Sequence, residues 1–188
     1  MKYADATARL SDYRRQIAAV REKMRTLQDD TEPEEVSDYE FQSAAGALRL
    51  SQLFGDRDDL IVIHNMGIAC PACTMWADGF NGVLSHITNR AAFAVSSPDS
   101  PAVQSQFAAT RGWKFPMVSH AGTSFAADMG FRSDKGWRPG VSVFKRHGQK
   151  IVRVSDTRFN AGDDFCAVYH LFDLLPGGSG EWFPKLKY

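Results

Sequence analysis

The sequence predicts a mixed α/β fold, a central sheet with flanking helices, and three observations carry the prediction. Short apolar runs, 60-LIVIHN-65, 91-AAFAVSS-97 and 115-FPMVSH-120, read as strands covered on both faces. Stretches opened by Pro71 and Pro101 read as helices lying between those strands. Late in the chain, 141-VSVFK-145 and 150-KIVRVS-155, joined by 146-RHGQ-149, read as a β-hairpin. Alternating strands and helices allow parallel pairing, and the hairpin adds antiparallel strands.

Each element follows in order. Residues 4–28 read as one helix, with Tyr3, Ala6, Leu10, Tyr13, Ile17, Val20, Met24 and Leu27 spaced alternately three and four apart. That spacing is the seam of a coiled coil. Such a helix either lies on its own domain or packs on another subunit. The length of the seam leads us to expect a homodimer. The acidic stretch 29-DDTEPEEVS-37, with Pro33, reads as a linker. The expected organisation is therefore an N-terminal helical extension, 1–30, and a domain, 38–188. Within that domain a strand at 39–42, a glycine-containing turn and a helical turn in 48-LRLSQLFG-55 precede the strand 60–66. A helix from Pro71 is expected to run to Ile87 or Thr88. Strand 91–97, helix 101–112, strand 115–120 and a short helical piece at 125–129 follow. A last helix, 163–175, is stopped by Pro176, Gly177 and Gly178.

Bulk properties exclude several classes. The chain has 188 residues, of which 44% are hydrophobic, enough for one core. Lys+Arg and Asp+Glu both number 22, so there is no basic footprint for nucleic acid. No apolar run reaches the length of a membrane-spanning helix. The opening 1-MKYADATARLSDYRRQ-16 is charged throughout, unlike a secretory signal, so a cytoplasmic location is expected. There thiols are kept reduced, and three cysteines are too few for a structural disulfide framework.

Two of those cysteines stand in 66-MGIACPACTMWADGF-80, directly after the apolar strand. Three cysteines scattered at random would give some pair this spacing about one time in thirty, so the context has to decide. A helix starting at Pro71 places Cys70 at its positive end, where a thiol ionises more easily, and the thiolate is the reactive species. Cys70 should be the exposed sulfur, and Cys73, one turn on, the deeper one. That order suits attack by the first and resolution by the second. Zinc would need four ligands. Only Cys166 and the scattered His64, His86, His120, His147 and His170 remain to complete such a set, and no second paired motif exists. The third alternative is a pair of small buried residues. Cys166, beside the apolar face formed by Phe165, Val168, Phe172 and Leu175, reads as a core residue. A strand, a C-x-x-C pair and a helix in this order point to a thioredoxin-like fold.

The residues also resemble a known family. The run 39-YEFQSAAGALRLSQLFGDRDDLIVIHNMGIACPAC-73 is similar to the opening of thioredoxin-like and peroxiredoxin-like proteins. The run 136-GWRPGVSVFKRHGQKIVRV-154 resembles the thioredoxin segment in which a cis-proline precedes a strand. Over nearly its full length the chain resembles the thioredoxin-like bacterial family known as domain of unknown function 899. The shared patterns are Y-x-F…G…L-x-x-L-F-G at 39–55, C-P-x-C-x-x-W-A-D at 70–78, G-W-x-F-P-x-V-S at 112–119 and D-L-x-P at 173–176.

The family resemblance implies the fold, and the cysteine pair within it leads us to expect a thiol–disulfide oxidoreductase using Cys70 and Cys73, with a disulfide substrate, an unidentified reductant and no cofactor or metal. By the thioredoxin pattern Pro139 should be cis and face the dithiol. Arg138 and Trp76 join it as expected substrate-binding residues. His64 stands six residues before Cys70, where thioredoxins carry a buried Asp, and is the expected proton acceptor for Cys73. Peroxiredoxins carry P-x-x-x-S/T-x-x-C. Here Gly67 lies three residues before Cys70, and Cys70 three before Cys73, so neither cysteine has that hydroxyl. A peroxiredoxin-like thiol peroxidase is therefore an alternative, and a non-enzymatic binding domain of the same fold is another.

Overall fold

The computed structural model describes residues 1–188, in two units, Met1–Pro33 and Glu34–Tyr188. The first unit holds α1, Tyr3–Asp29, none of whose residues is buried. No helix of the chain is long and apolar enough to cross a membrane.

The second unit is built on an eight-stranded mixed sheet. In chain order its strands are β1 (Glu34–Val36), β2 (Glu40–Ser43), β3 (Gly46–Arg49), β4 (Asp59–His64), β5 (Ala92–Ser97), β6 (Met117–Ser119), β9 (Gly140–His147) and β10 (Lys150–Arg158). In space they run β1-β10-β9-β4-β5-β6-β2-β3. The trio β4, β5 and β6 is parallel, and every other pairing is antiparallel. A separate small hairpin pairs β7 (Arg132–Ser133) with β8 (Gly136–Trp137). The helices are α2 (Pro71–Gly82), α3 (Leu84–Arg90), α4 (Pro101–Arg111), α5 (Phe125–Asp128) and α6 (Ala167–Phe172), with a 3₁₀ turn at Leu50–Phe54. This is the thioredoxin-like α/β architecture that the apolar runs and the cysteine context predict.

Side chains alternate across each strand, so the sheet feeds two cores. On one face Leu60 and Val62 of β4 pack with Phe41, Phe54, Phe125, Phe131 and Phe144. On the other, Ile63 packs with Trp76 and Ala77 of α2 and with Phe93, Val95, Phe115 and Phe159. With both faces covered, β4 reads as a continuous apolar run.

Several boundaries differ from expectation, each for a local reason. The acidic segment 29–37 is not all linker. Its end forms β1, whose Val36 pairs with Ile151 of β10, and Arg153 bonds Glu34 while Lys150 bonds Glu35. Cross-strand charge pairs thus recruit a segment whose composition suggests a loop. Residues 46–49 form β3, where the sequence suggested a turn leading into a helical turn. The helix expected from Pro71 to 87 or 88 breaks at Val83, whose backbone (φ −115°, ψ 14°) leaves the helical region directly after Gly82. The last helix covers only Ala167–Phe172. Ahead of it the Asp163 carboxylate accepts from the N–H groups of Asn160 (2.8 Å) and Phe165 (2.9 Å) and stabilises a turn there.

The Arg138–Pro139 bond is trans, as are all others in the chain, which corrects the expected cis-proline. The segment is held extended by the N–H of Arg138 donating to Phe131 O (2.8 Å) and that of Phe159 donating to Pro139 O (2.9 Å). Gly140, which follows, is required by space. A β-carbon there would stand 2.2 Å from the Phe131 ring and 2.4 Å from Thr157 O.

Candidate active site

The loop 65–70 leaves the carboxyl end of β4, flanked by parallel β5 and antiparallel β9. In open α/β sheets that edge is where ligands bind. The loop is shaped by directed hydrogen bonds. Asn65 donates its N–H to Ser96 O (2.9 Å) and accepts that of Gly67 at its side-chain oxygen (2.8 Å). Gly67 adopts φ +108°, and a β-carbon on it would lie 3.1 Å from an Asp99 carboxylate oxygen. Asp99 Oδ2 accepts the N–H of Ile68 at 3.0 Å. Gly67 O then accepts the N–H of Cys70 at 3.1 Å, which closes the turn.

Cys70 is the N-cap of α2, and Pro71 fills the first helical position, where a missing N–H costs nothing. The Cys70 sulfur takes the role an N-cap oxygen usually plays. It accepts the backbone N–H of Cys73 at 3.1 Å. Thr74 anchors the same turn by donating both its N–H and its hydroxyl to Cys70 O, each at 3.0 Å. Both sulfurs are free thiols. Cys70 is half-buried and Cys73 is 3% exposed.

The two thiols are driven apart electrostatically. Cys70 is brought down to about 7, first by the Cys73 S–H donating to its sulfur and then, against the opposing effect of burial, by the backbone N–H groups of Cys73 and Ala72. Cys73 is pushed far up because it supplies that hydrogen bond, is buried and lies beside the Cys70 charge, while the Met66 N–H offsets part of this. The lowered value favours the thiolate at Cys70, while Cys73 is held in its protonated form.

Two of the other expected site residues, His64 and Trp76, take buried positions in the cores. His64 falls on the face of β4 shared by Leu60 and Val62, whereas α2 packs on the face of Ile63. Its ring is sandwiched between Phe131 (centroids 3.9 Å apart) and Phe125 (5.2 Å), and its Nε2 meets Ser142 Oγ at 2.9 Å. Burial, then the charges of His120 and Arg153, hold it well below the ordinary histidine value. These partners are those of a core histidine, and the role of base to Cys73 is withdrawn. Trp76 is 4% exposed and packs on Phe159 inside the core, so its ring presents no surface to a substrate. Trans Pro139 and Arg138 are half-buried parts of the strand-entry segment. Cys166 is a buried member of the core that includes Trp76, with its thiol pushed up chiefly by burial. No three His, Cys, Asp or Glu side chains are grouped so as to hold a metal ion.

Sequence reasoning missed Asp99. Its signal is faint, an acidic residue in 96-SSPDS-100 directly after a strand that runs parallel to β4.

Comparison with known proteins agrees with this architecture. A family described as a bacterial protein of unknown function, DUF899, matches residues 6–187. No curated protein matches. Among solved structures, a mutant of peroxiredoxin Q from Xanthomonas campestris is similar at 20% identity and a TM-score of 0.55, covering 64% of this chain and 80% of that one. Peroxidoxin BcpB of Mycobacterium tuberculosis is similar at 22% identity and a TM-score of 0.54, covering 72% and 88%. Reduced Prx3 of Vibrio vulnificus is similar at 10% identity and a TM-score of 0.59, covering 71% and 89%. At such identities the likeness is one of fold.

Proposed function

The chain belongs to the DUF899 family of bacterial proteins of unknown function, and from that premise we propose that it is a thiol–disulfide oxidoreductase whose reactive pair is Cys70 and Cys73. The observation that carries the reading is the N-cap geometry. An accessible sulfur of lowered pKa accepts hydrogen bonds from a second, buried sulfur and its backbone N–H.

In this mechanism the Cys70 thiolate attacks one sulfur of a substrate disulfide. A Cys70–substrate disulfide forms, and the other substrate sulfur leaves as thiolate and takes a proton from solvent. Once Cys70 is in the mixed disulfide it no longer carries the charge that holds the Cys73 proton. Cys73 then loses its proton to solvent and attacks the Cys70 sulfur. A Cys70–Cys73 disulfide forms, and the second substrate sulfur departs as thiolate. The substrate gains two electrons, the pair loses two, and a separate dithiol reductant must restore it. The cytoplasm, where thiols are held reduced, suits this cycle. The seam of α1 supports a homodimer as part of the same proposal.

A peroxiredoxin-like thiol peroxidase is the second reading, favoured by the names of the solved neighbours and opposed by the missing hydroxyl three residues before either cysteine. Mass spectrometry after a dithiol-oxidising reagent or hydrogen peroxide separates the readings. Exchange is supported by reversible loss of two hydrogens from the peptide carrying both cysteines, and by a Cys73→Ser protein that traps substrate on Cys70. Oxygen adducts on one sulfur without formation of the pair would indicate peroxide chemistry. Thiols inert to both reagents would indicate a binding domain.

A further inference from the structure

We propose that Asp99 is the positioning residue of the dithiol loop, fixing the turn that presents Cys70 at the start of α2. The proposal deepens the thiol-exchange reading and rests on it for its biological meaning.

Asp99 does not belong to the loop it holds. It follows β5, and its carboxylate Oδ2 accepts the Ile68 N–H (3.0 Å) across a sequence gap of 31 residues. The same oxygen accepts the Ser97 hydroxyl (3.1 Å). The Ser97 oxygen in turn accepts one N–H of the Gln104 amide (2.9 Å) and the N–H of Asp99 itself (3.3 Å). The Gln104 amide also donates to Val118 O (3.0 Å) on β6. Ser97 is fully buried and Gln104 is 1% exposed. A continuous chain of hydrogen bonds therefore runs from the sheet core through Gln104, Ser97 and Asp99 to the backbone of the loop. Low local dielectric strengthens such a network, and its terminal acceptor is charged, which roughly doubles the strength of its last bonds.

The contact with Gly67 makes the seat specific. A β-carbon at Gly67 would lie 3.1 Å and 3.2 Å from the two Asp99 oxygens. The carboxylate therefore lies close against the one residue whose positive φ turns the chain toward Cys70. Three residues later the N–H of Cys70 closes on Gly67 O. Displacing Gly67 and Ile68 displaces the N-cap sulfur from the Cys73 N–H. A small movement is enough, because a sulfur hydrogen bond at 3.1 Å weakens steeply with misalignment.

The test measures how fast iodoacetamide alkylates Cys70 as pH is varied, using mass spectrometry on the full-length protein with Cys166 as internal control. This readout needs no disulfide exchange, so it can fail or succeed independently of the proposed activity. Asp99→Ala should move the Cys70 profile to higher pH and slow alkylation at pH 6 by about tenfold, with Cys166 unchanged. Asp99→Asn keeps a carbonyl acceptor for Ile68 N–H and should stay within about threefold of the parent rate. A profile unchanged in both variants, even with a lower melting temperature, would reduce Asp99 to a structural residue and overturn the proposal. A shift to lower pH in both would also overturn it, since the charge of Asp99 would then matter more than its position. If Asp99→Ala does not fold, the Asp99→Asn profile decides: any shift larger than that threefold rejects positioning by shape.

Discussion

The backbone N–H of Cys73 points at the sulfur of Cys70 from 3.1 Å, so the buried cysteine helps to ionise the more exposed one. The Cys73 side chain adds a second donor, the largest influence lowering Cys70. Removing only that side chain should therefore make Cys70 less acidic. Cys73→Ala is expected to leave about tenfold less Cys70 thiolate at pH 6, and Cys73→Ser, which keeps a hydroxyl donor, appreciably more than Ala does. The pH dependence of alkylation checks the order.

The buried histidines make stability depend on acid. His64 lies well below the ordinary value and His120 at about 4, both chiefly because burial disfavours the charged ring. Arg153 and His120 face His64, and Arg132 faces His120, which oppose protonation further. Below the free value of about 6.5 the unfolded chain binds protons that the folded chain refuses. Stability from these groups is complete above about 6.5 and is lost as pH falls toward 4 and below. The loss approaches about 2.7 kcal/mol per pH unit if both rings titrate only in the unfolded state. Urea midpoints between pH 7.5 and 5 should fall, and the fall should be shallower in His120→Asn.

Gly140→Ala is expected to destabilise by about 3 kcal/mol or more, because one of the two clashing atoms is the backbone oxygen of Thr157. Shrinking the other partner in the double variant Gly140→Ala, Phe131→Leu should restore little. Equilibrium unfolding in urea measures both.

Self-association through α1 should strengthen with salt. Arg9, Arg14, Arg21 and Lys23 flank the apolar seam, so a second copy brings like charges together. Light scattering should show more dimer at about 0.5 M than at about 0.05 M salt, and none after deletion of residues 1–28. A dimer that survives the deletion would place the interface elsewhere.

What was legible in the sequence was what local chemistry decides. Pro71 and the apolar run before it located β4, the start of α2 and the depth order of the two sulfurs. Long-range pairing was not legible. Only the partnership with β10 turns Glu34–Val36 into a strand. Only the tertiary structure shows Asp78 accepting the Trp113 indole N–H at 2.8 Å, which ties two segments that looked like separate motifs. The error over His64 was avoidable. Strand alternation puts it with Leu60 and Val62, and the face that carries α2 is that of Ile63. The trans bond before Pro139 was not legible either: the expected cis isomer came from the resemblance and not from the residues around it.

The place of β4 between β5 and β9 has a consequence for synthesis. Cys70 and Cys73 leave the ribosome long before Gly140–His147, the strand that pairs with the second edge of β4. At typical elongation rates the interval is roughly 4–15 s. Throughout it the nascent chain carries two thiols at the end of a strand with one open edge, exposed to oxidants and to other nascent chains. Reducing conditions at the ribosome, or a chaperone that covers that edge, therefore bear on the yield of folded protein independently of how stable the finished fold is.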